Sequence, residues 1–194
     1  MAMQSGRDDG AGPTQGGQRI LGIDPGTVVM GWGVVDLVRG SIVHVAHGTI
    51  GSARNSRQEN RLRQIYLELQ KVLKRYDPQG ISLEKVFFAR NAQSALKLGQ
   101  ARGVALLAAA ENDIAVHEYA SAEIKLAVVG YGRASKEQVQ KMVASLLRLS
   151  EKLPVDAADA LAAAICYLHQ RAFYSQVTRA LPRGGSRMRR WKVS

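Results

Sequence analysis

The chain has 194 residues, 46% of them hydrophobic and 22% charged, which fits one globular domain with a substantial core plus short tails. A single cysteine, Cys166, excludes a disulfide framework or a Cys-type zinc site within the chain, and no apolar run approaches the ~20 residues of a membrane span. The formal charge of +11, with a pI near 10.2, sets a polyanionic partner, nucleic acid first, against the plainer reading of a merely soluble basic protein.

That charge is unevenly spread. Residues 171–194 carry seven basic side chains and no acid, and residues 1–18 carry −1, so 19–170 hold +5. The body is therefore basic without its tail. The first 18 residues are rich in Gly and Gln and show no hydrophobic periodicity, so they are expected to be a disordered lead-in. They have no apolar centre of the signal-peptide kind, and a cytoplasmic location is the expectation. The ordered domain is placed at 19–174, with 175–194 as a basic, flexible tail.

Order should begin at Arg19. In "RILGIDPGTVVMGWGVV" a first strand, Ile20–Ile23, leads into Asp24, with Pro25 and Gly26 suited to the centre of a type II turn. Further strands are expected at Gly31–Val38 and Ser41–Ile50, joined by a tight hairpin at Arg39-Gly40. "SRQE", Ser56 to Glu59, reads as a capping box. Behind it Leu62, Ile65, Leu69, Val72 and Tyr76 recur at steps of three or four, one stripe of a helix. Asp77-Pro78 and Gly80 stop that helix.

A fourth strand follows over Ile81–Phe88, and then a small-residue helix from Ala92 to Glu111. Its Ala95, Gly99, Gly103 and Ala110 would permit close backbone approach to a neighbour. Ile114–Glu118 is a short strand, Ser121–Val129 a helix, and Gly130–Arg133 a loop. A second capping box, Ser135 to Gln138, opens the helix carrying Val139, Met142, Val143, Leu146 and Leu147. Pro154 suits the first turn of a last helix running toward Tyr174, and Cys166 on that helix is expected to be a small core residue. The order β-β-β-α-β-α-β-α-α-α implies an α/β fold, a mixed five-stranded sheet with helices on both faces; this is the order of the ribonuclease H-like fold, and periodicity alone leaves other α/β arrangements open.

Four acids stand where packing disfavours charge. Asp24 ends an apolar strand. Glu84 lies among Ile81, Leu83, Val86 and Phe87, on the strand face of Ser82. Asp156 and Asp159 in "PVDAADALAAAI" are three apart, so both project from one helix face beside an Ala-rich packing surface. Each has a plain explanation alone: a turn residue, a half-exposed strand position, or an acid favoured near a helix N-terminus. Together they have a more economical one. If the first and fourth strands are neighbours and the last helix crosses their ends, the carboxylates converge and repel unless cations lie between them. All-oxygen ligation suits Mg²⁺ or Mn²⁺, and two such ions can support phosphodiester hydrolysis.

"GIDPGT", "LEKVFFARN" with the following "SALKLGQARG", "VVGYGRASKEQVQKMV" and "DAADALAAAI" together resemble the RuvC family of bacterial Holliday junction resolvases, over about Arg19–His169. The resemblance implies a ribonuclease H-like fold and a homodimer. It also implies divalent-metal-dependent, symmetric nicking of two like strands of a four-way DNA junction in recombination and repair. Asp24, Glu84, Asp156 and Asp159 fall on the family's catalytic, metal-binding acids, with Mg²⁺ as the expected ion, two per site, and Mn²⁺ as a substitute. Lys125 and Lys136 fall on its functionally important lysines, and Phe87 on an aromatic that stacks on bases at the junction. Arg90, Tyr131 and Arg133 complete the candidate DNA contacts. Implied partners are the RuvA and RuvB branch-migration proteins. One departure is "YASAEIK" after Tyr119, where many relatives carry a proline.

Three other readings compete. Actin-like kinases begin with a similar Asp-x-Gly-Thr turn but need two domains to close over a nucleotide. A junction-binding module that does not cut gains nothing from four converging carboxylates. A related nuclease family acting on ribosomal RNA precursors shares the fold but is disfavoured by "SALKLGQARG".

Overall fold

The computed structural model describes residues 17–51, 56–85 and 92–180. Three antiparallel strands lead the chain: β1 (Gln18–Asp24), β2 (Val29–Val38) and β3 (Ser41–Gly51). The Arg39-Gly40 turn between β2 and β3 has positive φ at both residues, 50° and 84°, as a type I′ hairpin requires. After α1 (Gln58–Tyr76), β4 (Gly80–Glu84) pairs parallel to β1. After α2 (Ala92–Ala110), β5 (Val116–Tyr119) pairs parallel to β4. The strand order β3-β2-β1-β4-β5 is the mixed five-stranded sheet that the element order implies. Helices α3 (Ser121–Val129), α4 (Lys136–Leu146) and α5 (Val155–Ala180) complete the chain.

Strand alternation divides the core into two layers. Leu21 and Ile23 of β1 face one side, with Met30, Val34, Ile81 and Leu83, and pack on Ile65 and Leu69 of α1 and the buried alanines of α2. Ile20 and Val35 face the other side, where α5 lies directly on the sheet and is backed by Ile124 and Val128 of α3 and Val139 and Val143 of α4. Covered on both sides, α5 is buried without interruption from Ala160 to Leu168. Cys166 is a buried residue of this layer. At the far end of β1, Arg19 and Asp36 form a buried bidentate pair, with Nε and Nη2 each 2.8 Å from a carboxylate oxygen.

Several local expectations are corrected. Gly26 does not have the positive φ of a type II turn; a Cβ there would stand 2.0 Å from the Val29 carbonyl oxygen, so the glycine serves close approach. Ser56 does not cap α1. Arg57 holds the N-cap position without a side-chain bond, and the Ser56 carbonyl accepts from Arg61 Nε. Gly99 and Gly103 face outward, and a methyl added at either would meet no described atom within 4 Å; α2 packs instead through Ala101, Ala105, Ala108 and Ala109. The described part of β4 ends at Glu84, β5 lies slightly later than expected, and α5 continues past Tyr174 to Ala180.

Candidate active site

Asp24 and Glu84 are the last residues of β1 and β4. These strands pair in parallel with Ile23 beside Leu83, so the two acids leave the sheet at the same level. Alternation places Glu84 on the face of Ser82, which is buried and donates its hydroxyl to the Ala163 carbonyl of α5 at 2.7 Å. Both acids therefore belong to the side of the sheet that α5 covers.

Three glycines let α5 lie so close. A methyl on Gly22 would stand 1.8 Å from the Ala160 carbonyl oxygen. One on Gly31 would stand 2.0 Å from that of Asp156, and one on Gly33 would be 2.5 Å from the Leu161 side chain. Gly31 is the cross-strand partner of Asp24, so the first turn of α5 is pressed against the strand position beside that acid. Asp156 and Asp159, one turn apart, are delivered to the same end of the sheet.

The electrostatics register this convergence. Burial, then the charges of Asp159, Asp156 and Glu84, push Asp24 up from 3.8 to about 7. Burial also raises Asp159, though Lys136 offsets part of the effect with an ion pair of 2.5 Å from Nζ to Oδ2. Burial opposes the Lys136 ammonium, but the hydrogen bond and charge of Asp159, with Asp24 and Asp156 beyond it, outweigh that and raise its pKa. Among the described residues no three acids, histidines or cysteines are gathered into a finished metal cage. The donor set nonetheless fits a hard divalent cation, because it offers only carboxylate oxygens whose mutual repulsion such an ion would relieve.

The other candidate residues divide into two groups. Lys136 is the first residue of α4, whose start is fixed by the expected capping box: Gln138 N–H donates to Ser135 Oγ, and Ser135 N–H to Gln138 Oε1. Lys125 of α3 lies near enough to Asp159 to lower its pKa. Tyr131 and Arg133 lie on the loop after the Gly130 cap of α3, which Ala134 anchors in the core; both are exposed. Phe87 and Arg90 lie outside the described residues. Sequence reasoning missed the supporting features: Ser82, and the glycines of β1 and β2 beneath α5. Glycine inside otherwise apolar strands, "LGID" and "MGWGVV", was the available signal, since it marks close approach by another backbone.

The chain is similar to known proteins in sequence and in fold. The family model described as "Crossover junction endodeoxyribonuclease RuvC" matches residues 20–167. A protein of that name from Syntrophotalea carbinolica is 50% identical over 151 residues, covering 78% of this chain and 94% of that protein. One from Thermotoga maritima is 49% identical over 156 residues, covering 80% and 93%. Among solved structures, Thermus thermophilus RuvC in complex with a Holliday junction substrate superposes with a TM-score of 0.75 at 34% identity, covering 83% of this chain and 96% of that one. The yeast mitochondrial Holliday junction resolvase Ydc2, at 13% identity and a TM-score of 0.60, shares the fold. The chain belongs to the RuvC family of crossover junction endodeoxyribonucleases.

Proposed function

We propose that this protein resolves four-way DNA junctions by hydrolysing one phosphodiester in each of two like strands, during recombination and repair. The observation that carries the reading is the meeting of Asp24, Asp156, Asp159 and Glu84 in one electrostatic cluster on a basic body. RuvC-family proteins are metal-dependent nucleases. Here the four carboxylates would hold the metal, Mg²⁺ being the natural choice for an all-oxygen set and Mn²⁺ a substitute. Two bound ions would activate water and stabilise the leaving 3′ oxygen. Asp24 and Glu84 present their carboxylates from rigid strand ends, and α5 holds Asp156 and Asp159 at fixed spacing, which favours a positioned attack. Lys125 and Lys136 bring positive charge to the rim of the acids for backbone phosphates. Tyr131 and Arg133 offer stacking and charge on the adjoining loop, and Phe87 and Arg90 are assigned junction contacts.

Two like strands call for two sites, hence a homodimer. The outward glycines of α2 support this, flanked by Leu96 and Leu107, which are 69% and 53% exposed. RuvA and RuvB are the partners implied by membership of the family, and the cytoplasm the location. The deciding experiment uses a mobile synthetic four-way junction and a linear duplex of the same sequence, each with and without Mg²⁺. Paired nicks confined to the junction and dependent on metal are expected, and Asp24→Asn should bind the junction without cutting it. A D24N protein that cuts at the normal rate overturns the four-acid assignment, and a strict monomer in sedimentation at micromolar concentration overturns the dimer.

A further inference from the structure

The contact between Lys136 and Asp159 sets up a competition. Lys136 Nζ stands 2.5 Å from Asp159 Oδ2, with the carboxylate 19% exposed and the lysine 52% exposed. The base of the lysine is fixed, because Ser135 and Gln138 cap α4 reciprocally and Ala134 and Val139 are buried on either side. Its tip is not: the stem is flexible and more than half in water, so the ammonium can leave without disturbing α4. Asp159, by contrast, sits on α5, which the sheet and two helices hold in place.

A carboxylate oxygen that accepts an ammonium proton at this distance is not at the same time a good ligand for a divalent cation. Lysine and metal therefore compete for Asp159 Oδ2, and the ammonium's charge opposes a cation at the other oxygen. DNA supplies what tips the balance. A backbone phosphate offers the ammonium an alternative anion, and an ammonium, unlike a guanidinium fork, can change partners without geometric penalty.

We propose that Lys136 couples metal binding to DNA binding. Without DNA its ammonium holds Asp159 and weakens the site's grip on a divalent ion; a phosphate of bound DNA draws the ammonium away and frees Asp159 as a ligand. The proposal rests on the four-acid reading of the site. By thermodynamic reciprocity, metal then strengthens DNA binding by the same factor as DNA strengthens metal binding. The protein is loaded for hydrolysis chiefly when substrate is present.

The test reads metal affinity rather than cleavage. Mn²⁺ binding is measured by calorimetry and by the paramagnetic resonance of free Mn²⁺, on the intact protein alone and with a nuclease-resistant junction. Lys136→Met keeps the stem and removes the cation, Lys136→Arg keeps the charge and the pair, and Lys125→Gln removes a neighbouring charge that makes no such contact. Expected is an approximately tenfold tighter Mn²⁺ affinity for DNA-free K136M, little change for K136R, and a smaller gain for K125Q. Junction should tighten Mn²⁺ binding to the native protein and do so much less for K136M. If native protein and K136M bind Mn²⁺ equally without DNA, the coupling proposal fails while the four-acid reading stands. If K125Q gains as much as K136M, the effect is a general field and the proposal fails. Absence of Mn²⁺ binding to the native protein, with and without junction, overturns the four-acid reading itself.

Discussion

Replacing Asp24 with asparagine should make the protein more stable in EDTA. In the folded state burial and three neighbouring acids raise this carboxyl from 3.8 to about 7. That difference corresponds to roughly 4 kcal/mol against folding when Asp24 is ionised. Asparagine keeps the shape without the charge, so a gain of roughly 2–4 kcal/mol is expected at pH 8, or on the order of 5–10 °C in Tm for a chain of this length. The sign follows from the raised pKa. Asp24's favourable contribution is fully present below 3.8, where both states are neutral, and is lost as pH rises through about 7. The advantage of D24N should therefore be largest at pH 8 and vanish near pH 4. Thermal melts and urea titrations at pH 8, 6 and 4 measure it. Saturating Mg²⁺ should reverse the order at pH 8, because it binds the native carboxylates and stabilises by mass action. Equal stability of the two proteins in EDTA at pH 8, or a gain of the same size at pH 4, refutes the reasoning.

The buried pair of Arg19 and Asp36 gives a different kind of mutant. Arg19→Met or Asp36→Leu alone should lose about 3–5 kcal/mol in urea denaturation, since each leaves one buried charge unpaired, while the double variant should recover most of the loss. Gly22→Ala drives a methyl to 1.8 Å from the Ala160 carbonyl oxygen, so α5 must lift. Circular dichroism should show the helices retained and junction cleavage should fall at least a hundredfold; native cleavage would mean that α5 tolerates displacement. Substituting glutamine for Arg183, Arg187, Arg189, Arg190 and Lys192 should flatten the dependence of log K on log salt for junction binding by up to about 4.5. An unchanged slope would remove the tail from the phosphate contacts.

Features fixed within a few residues of sequence were legible. Arg39-Gly40 announced its hairpin because a two-residue loop demands positive φ. The Ser135–Gln138 capping box opens α4 as its spacing requires. The four acids stood out because each interrupts an apolar pattern, and their strand ends and shared helix face follow from period alone. What escaped depends on partners that the local pattern does not show. Gly26 reads as a turn glycine, whereas the nearby Val29 carbonyl dictates its size. Ser82 reads as an ordinary strand residue until Ala163, 81 positions away, arrives as its acceptor. Ser56 meets the local capping rule, yet the helix starts one residue later and uses its carbonyl instead. Lys136 could be placed at the start of a helix, but only the assembled fold brings it to Asp159.

The position of α5 bears on when the molecule becomes an enzyme at all. The first strands of the described chain and its last helix share one hydrophobic cluster, with Ile20 and Val35 packed in the layer of Leu161 and Ile165. Contacts this long in sequence form late, after loop closure across most of the polypeptide. On the ribosome, Asp24 and Glu84 emerge well before Asp156 and Asp159, and until α5 emerges the sheet has no cover on that face. A chain released before α5 would lack Asp156 and Asp159 and leave an apolar face of the sheet open to water.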